Sequence, residues 1–285
     1  MLTLVVTSAL AGDGKSTVAA GLADVLAPRG YRVQLTSGDG SLPAAADVAI
    51  REHGDPATAA SGADVVVLVV RQGQADDATL ERAAAESGAA AIILTSVPEG
   101  AETAARARLQ AITARLDRPI MLAGMLPQDR LLAAPSLEQM TAALEASLDA
   151  PEDAGNEAVE WIEIGPITAH PGSVHFATVG SKAIVTRGDR PDVALAALDV
   201  DAECLILSGG REPLRYVLER TREDAVPLIA TALTTSEAVQ RLGPLYGQGT
   251  FRGTRKRERA ARLVAQYVDL DALRRLLGLG RSAGA

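Results

Sequence analysis

Residues 2–26 set the terms for the rest of the chain. Leu2-Thr3-Leu4-Val5-Val6-Thr7 is an apolar, β-branched run, the pattern of a buried strand. Ser8-Ala9-Leu10-Ala11-Gly12-Asp13-Gly14-Lys15-Ser16-Thr17 follows, and Val18 to Leu26 is rich in the helix formers Ala and Leu. A strand, a glycine turn, Lys-Ser-Thr and a helix in that order form the setting of a phosphate-binding loop. Gly12 and Gly14 let the backbone curl so that successive N–H groups face an anion. The helix N-terminus adds partial positive charge. Lys15 can reach β/γ oxygens, and the Ser16 hydroxyl can enter a Mg²⁺ shell. Gly12, Asp13, Gly14, Lys15, Ser16 and Thr17 are therefore the candidate contacts for ATP or ADP with Mg²⁺. The alternative is a tight turn with no ligand. Ala9 stands where the usual pattern has its first glycine. Lys15, an early cation against the helix dipole, is better explained by a bound anion.

Alternating strand and helix patterns continue from here, with short loops between them. They predict an open α/β sheet with crossover helices. Strands are expected at 31–36, 46–50, 63–70, 89–94 and 120–122, and helices at 78–86, 102–116 and 137–148. The run Ala63-Asp64-Val65-Val66-Val67-Leu68-Val69-Val70 reads as a central strand buried on both faces. Ligands of such sheets sit beyond the carboxyl ends of strands. Asp39, in the turn after the second strand, is a candidate Mg²⁺ or water-orienting acid, or an Asx-turn residue. Glu52, at the tip of the third strand, has the setting of an acid in a Mg²⁺ shell, or is a solvated loop glutamate. Lys15, Asp39 and Glu52 form the candidate catalytic set, and Ser16, Asp39 and Glu52 the metal set. Thr95, Ser96 and Pro127 are candidates to line a base pocket.

The polar stretch 149–157 reads as a linker. The expected organisation is a nucleotide-binding domain over 1–148, a smaller α/β domain over 158–250 and a helical extension over 251–285. In the second domain, two arginine-bearing loops follow buried strands. Arg187, Asp189, Arg190, Gly209, Gly210 and Arg211 are candidates for a small anionic ligand or a protein partner; ion pairs that hold the loops are the alternative. Asp189 is placed to cap the next helix or to hold Arg190. Trp161 is expected to pack rather than to stack on a ligand. The basic run 252–262 precedes leucines at helical spacing, which predicts helices packed on the second domain with a solvated basic start.

Composition narrows the partners. A net charge of −8 over 285 residues argues against a nucleic-acid coat. Apolar residues are 47% of the chain, enough for a sizeable core, yet no apolar stretch reaches transmembrane length. Cys204 is the single cysteine and lies in an apolar run, so a buried thiol is expected rather than a disulfide. The three histidines form no zinc-ligand spacing. A cytoplasmic location is expected.

Longer motifs carry a family resemblance. Gly124-Met125-Leu126-Pro127-Gln128-Asp129-Arg130-Leu131-Leu132-Ala133-Ala134-Pro135-Ser136 resembles a segment from the amino-terminal region of long bacterial phosphate acetyltransferases. In that region a dethiobiotin-synthetase-like P-loop domain precedes a DRTGG domain. Ala183-Ile184-Val185-Thr186-Arg187-Gly188-Asp189-Arg190-Pro191-Asp192, Leu205-Ile206-Leu207-Ser208-Gly209-Gly210, Thr234-Thr235-Ser236-Glu237 and Val268-Asp269-Leu270-Asp271-Ala272-Leu273 are similar to the same region. The resemblance implies a P-loop domain followed by a DRTGG-like domain, as a stand-alone relative without the acetyltransferase catalytic domain. The lysine that dethiobiotin synthetases carry after their second strand has no counterpart in Leu35-Thr36-Ser37-Gly38-Asp39, and 40–47 is short where such enzymes build a substrate pocket. Leu10 stands where partition ATPases carry a signature lysine. The implied function is an ATP/ADP–Mg²⁺-binding regulator with slow hydrolysis. The alternatives are an ATPase or ligase-like enzyme on a small acid, and an interaction protein with degenerate sites. A homodimer is the expected assembly, with neither membrane nor nucleic acid as partner.

Overall fold

Strand β1, Leu2–Ser8, lies inside a six-stranded sheet with β3, Val48–Glu52, on one side and β4, Val65–Arg71, on the other. The computed structural model describes residues 1–37, 46–165, 180–200 and 202–279. The remaining strands of this sheet are β2, Val33–Ser37, β5, Ala91–Val97, and β6, Met121–Pro127. The order is β2-β3-β1-β4-β5-β6, and every pairing is parallel. β1 and β4 are buried on both faces, which is why they read as continuous apolar runs rather than alternating ones.

Among the described residues, the crossover helices of this sheet are α1, Lys15–Leu26, α2, Asp77–Glu86, and α3, Glu102–Thr113. Val5, Leu68, Val70 and Ile92 pack with Leu80 of α2 and Leu109 and Ile112 of α3. The Asp76 side chain starts α2 by accepting from Thr79 N at 2.7 Å. The crossing from β3 to β4 passes over β1, so loops from both neighbours arrive at the carboxyl end of β1. That end is the topological switch point, where open α/β sheets bind ligands.

A second sheet has the order β7-β11-β10-β9-β8. Its strands are β7, Ser147–Asp149, β8, Trp161–Ile164, β9, Lys182–Arg187, β10, Cys204–Ser208, and β11, Leu228–Ala230. All its pairings are parallel except β7 on β11. Its helices are α4, Arg130–Ala133, α5, Leu137–Ala143, α6, Pro191–Leu198, α7, Arg215–Glu223, and α8, Thr235–Leu242. Capping boxes at Ser136 and Thr234 fix the starts of α5 and α8. Cys204 is buried in this core, and burial pushes its thiol pKa up.

The compact units divide the chain elsewhere than at 148. One unit is Met1–Asp129 with Arg257–Ala285, and the other is Arg130–Lys256. The helix expected over 137–148 ends at Ala143; Glu145 takes a left-handed φ of 49°, and Ser147–Asp149 then pairs with β11. The stretch 149–157 is bound into this unit, because Glu157 O accepts from Leu137 N at 2.9 Å. The C-terminal helices are α9, Thr254–Tyr267, and α10, Leu270–Leu276. Residues from Arg257 onward fall in the first unit, not the second as the sequence suggested. Arg257 pairs with Asp24 at 2.6 Å, Arg259 pairs with Asp129 at 2.6 Å, and Gly124 bridges Val268. No described helix is long and apolar enough to cross a membrane.

Candidate functional site

The loop between β1 and α1 turns on Gly12 and Gly14, whose φ values are 85° and 90°. A side chain at either position would be strained. Gly14 is the N-cap of α1 and offers no side-chain acceptor, and no acidic residue stands in the first turn. The first N–H groups of the helix are therefore not capped by a side chain, and the dipole there favours an anion.

Register then brings the end of β3 to this turn. Val6 pairs with Glu52, and His53 N donates to Val6 O at 2.9 Å. Ser16 Oγ donates to Glu52 Oε2 at 2.6 Å, and Lys15 Nζ donates to His53 O at 3.2 Å. The His53 ring lies 2.7 Å from Thr58 Oγ1. Lys15, Ser16 and Glu52, separated by up to 37 positions, thus meet at one place. Thr17 follows in the first helical turn. Asp39 lies outside the described residues.

Asp13 and Thr95 hold the loop from its buried side. Asp13 is 1% exposed; its Oδ2 accepts from Leu10 N at 2.7 Å, and its carbonyl accepts from Thr95 Oγ1 at 2.6 Å. Burial raises the Asp13 pKa, opposed by the N–H groups of Leu10 and Arg71 and by the Arg71 charge. A Cβ on Gly14 would stand 3.4 Å from Thr95. Their hydrogen bonds make both residues braces beneath the loop. Ser96, at the end of β5, has a left-handed φ of 53°. Pro127 lines a groove of about 880 Å³ beside β6, with Val97, Glu102, Arg106, Gln128 and Tyr267. None of residues 8–17 lines that groove.

Gln74 is a further neighbour that the sequence reading did not single out. Its Nε2 donates to Ala11 O at 2.7 Å. The available signal was its place in the loop after β4, the other strand that flanks β1.

In the second unit, Arg187 and Ser208 are register partners at the carboxyl ends of β9 and β10. Arg187 is paired with Asp189, and Arg211 Nε lies 4.0 Å from the same carboxylate. The Arg187 guanidinium holds the Asp189 carboxyl below its usual range. Arg190 pairs with Asp192 at 2.8 Å and is itself the N-cap residue of α6. Asp189 therefore holds Arg187, not Arg190, and does not cap the helix. The Gly209 and Gly210 N–H groups are spent on Leu233 O at 2.7 Å and Thr231 O at 3.0 Å. Trp161 packs under the Arg130 guanidinium, 3.7 Å from its ring centroid. Among the described residues, no group of three or more His, Cys, Asp or Glu is placed to hold a metal ion.

The DRTGG domain family model matches residues 139–244, so the chain carries a DRTGG domain within its second unit. The chain is also similar to the crystal structure of the CBS and DRTGG domains of the regulatory region of Clostridium perfringens pyrophosphatase, complexed with its activator diadenosine tetraphosphate. Identity is 16% and the TM-score 0.35, with 41% of this chain and 51% of that one covered. The match therefore spans about half the length of that chain.

Proposed function

We propose that the 8–17 loop binds ATP or ADP with Mg²⁺, and that the protein is a nucleotide-binding regulator in which hydrolysis is slow. The observation that carries this reading is the convergence of Ser16 Oγ on Glu52 Oε2 at 2.6 Å, with Lys15 Nζ beside them on the His53 carbonyl. Bound Mg²⁺ would supply charge neutralisation at the phosphates. A hydroxyl and one carboxylate suit it, because Mg²⁺ takes oxygen ligands and usually keeps waters and phosphate oxygens as the rest of its shell. Ser16 and Glu52 would hold it, with Asp39 as a further candidate. Lys15 would leave the His53 carbonyl for a phosphate oxygen, and the uncapped turn of α1 would meet the phosphates. Asp13 contributes through its backbone and by holding the loop's shape. Ser96 and Pro127 remain candidates for the base.

The DRTGG domain supports a regulatory reading, with a small anion or a partner protein met by the 187–190 and 208–211 loops. Kinship of the first unit with dethiobiotin-synthetase-like domains of phosphate acetyltransferases belongs to the same proposal, as do a homodimer and a cytoplasmic location. Calorimetry with ATP–Mg²⁺ tests the central point. Wild type should bind, and Lys15→Ala should lose tenfold or more, about the value of one charge-assisted hydrogen bond. Equal affinity in both, or binding by neither, refutes the reading.

The Glu52 contact also favours a second reading, an ATPase or ligase-like enzyme that uses this carboxylate to polarise water. Phosphate release by pure wild type, lost in Glu52→Gln, would favour the enzyme. Retained binding without release favours the regulator.

A further inference from the structure

The two strands that flank β1 send different chemistry to the loop. From β3 come Glu52 and the His53 carbonyl, which engage Ser16 and Lys15 at the helical end of the loop. From β4 comes the turn 71–76. Gln72 N donates to Thr95 O at 2.9 Å, and Gln74 N donates to Arg71 O at 3.2 Å. Gly73, with φ 79°, reverses the chain between them. This places the Gln74 amide over the opposite half of the loop. Its Nε2 is 2.7 Å from Ala11 O and 3.9 Å from a Cβ built on Gly12. Ala11, Gly12 and Gln74 are all exposed, so the amide stands on the open side.

We infer that Gln74 reads the outermost phosphate, and so sets preference for a nucleoside triphosphate over a diphosphate. The inference rests on the proposed nucleotide site. Phosphates held by the start of α1, Gly14 and Lys15 occupy the helical half of the loop. A third phosphate extends toward residues 10–12, where Gln74 carries a neutral amide with a second N–H besides the one given to Ala11. With a diphosphate that half of the loop holds no phosphate, and the amide keeps its bond to the Ala11 carbonyl. An amide donor discriminates here without adding charge. A lysine or arginine in its place would attract both nucleotides.

The test is calorimetry on the full chain with ADP–Mg²⁺ and with a non-hydrolysable triphosphate analogue and Mg²⁺. In Gln74→Ala, triphosphate affinity should fall about tenfold, the worth of one hydrogen bond to a charged group, while ADP changes by less than about twofold. Gln74→Glu should weaken the triphosphate further, by placing a carboxylate beside its outermost charge. If Gln74 only braces the loop, both nucleotides weaken together in Gln74→Ala; that result, or no change with either, overturns the inference and leaves the nucleotide site standing. Failure of wild type to bind either nucleotide overturns both.

Discussion

Lys256 shows how far a residue's surroundings can depart from its place in the sequence. It belongs to a run of arginines that reads as a solvated helix start, yet it is 0% exposed. Its Nζ donates to Ala134 O at 2.6 Å and to Thr250 O at 2.8 Å. Burial lowers its pKa to about 8. Between that value and the ordinary lysine range, the unfolded chain holds a proton that the folded chain has released, so stability rises with pH. The contribution is complete above the unfolded pKa and is lost as pH falls through about 8. Relative to Lys256→Met, the wild type should gain roughly 3 kcal/mol at most from pH 8 to 10.5 in urea denaturation. A pH-independent difference would show that the amine stays charged. The turn on Gly12 and Gly14 ahead of Lys15 and Ser16 was legible because it is local. Lys256 and Gln74 were not, because their partners lie 122 and 63 positions away.

Strands and helices of the first sheet were legible for a related reason. A parallel strand covered on both faces must be a continuous apolar run, and β1 and β4 are. Pairing partners were less legible, and helix packing least of all. Gly21, in the middle of α1, reads as a weak helix residue. A Cβ there would lie 2.6 Å from Val264 Cγ2 and 2.9 Å from Ala260 O of α9. Close approach of two helices explains the glycine. Gly21→Ala should therefore destabilise by about 1–3 kcal/mol through overpacking, despite the roughly 1 kcal/mol that Ala gains over Gly in an isolated helix. Urea unfolding decides between them: a more stable variant would mean that the two helices do not meet there. The same contact explains why the basic run misled. Arg257 and Arg259 have carboxylate partners, Asp24 and Asp129, that no local pattern reveals. The 137–148 stretch misled for the opposite reason. Its apolar spacing fits one helix, but the left-handed residue at Glu145 breaks the chain into α5 and β7.

The first unit is assembled from two pieces of chain, Met1–Asp129 and Arg257–Ala285. The second piece brings Ala260, Leu263, Val264, Val268, Leu270 and Leu273 into buried positions. Each leucine or valine so buried contributes about 1.5–3 kcal/mol, which together is comparable to the usual stability margin of a domain. A chain stopped after Lys256 should lose amide protection in α1 and β6 while β9 and β10 keep theirs. Hydrogen exchange would show it, and full protection in β1 to β6 would mean that the C-terminal helices are dispensable. The arrangement also orders events during synthesis. The ribosome delivers residues 1–129 first, but their closing helices emerge only after 130–256 have been made. At ordinary elongation rates that is a wait on the order of ten seconds. The second unit, contiguous in sequence, can finish folding within that interval. The 8–17 loop therefore sits in a unit that can close only after the second unit has been made.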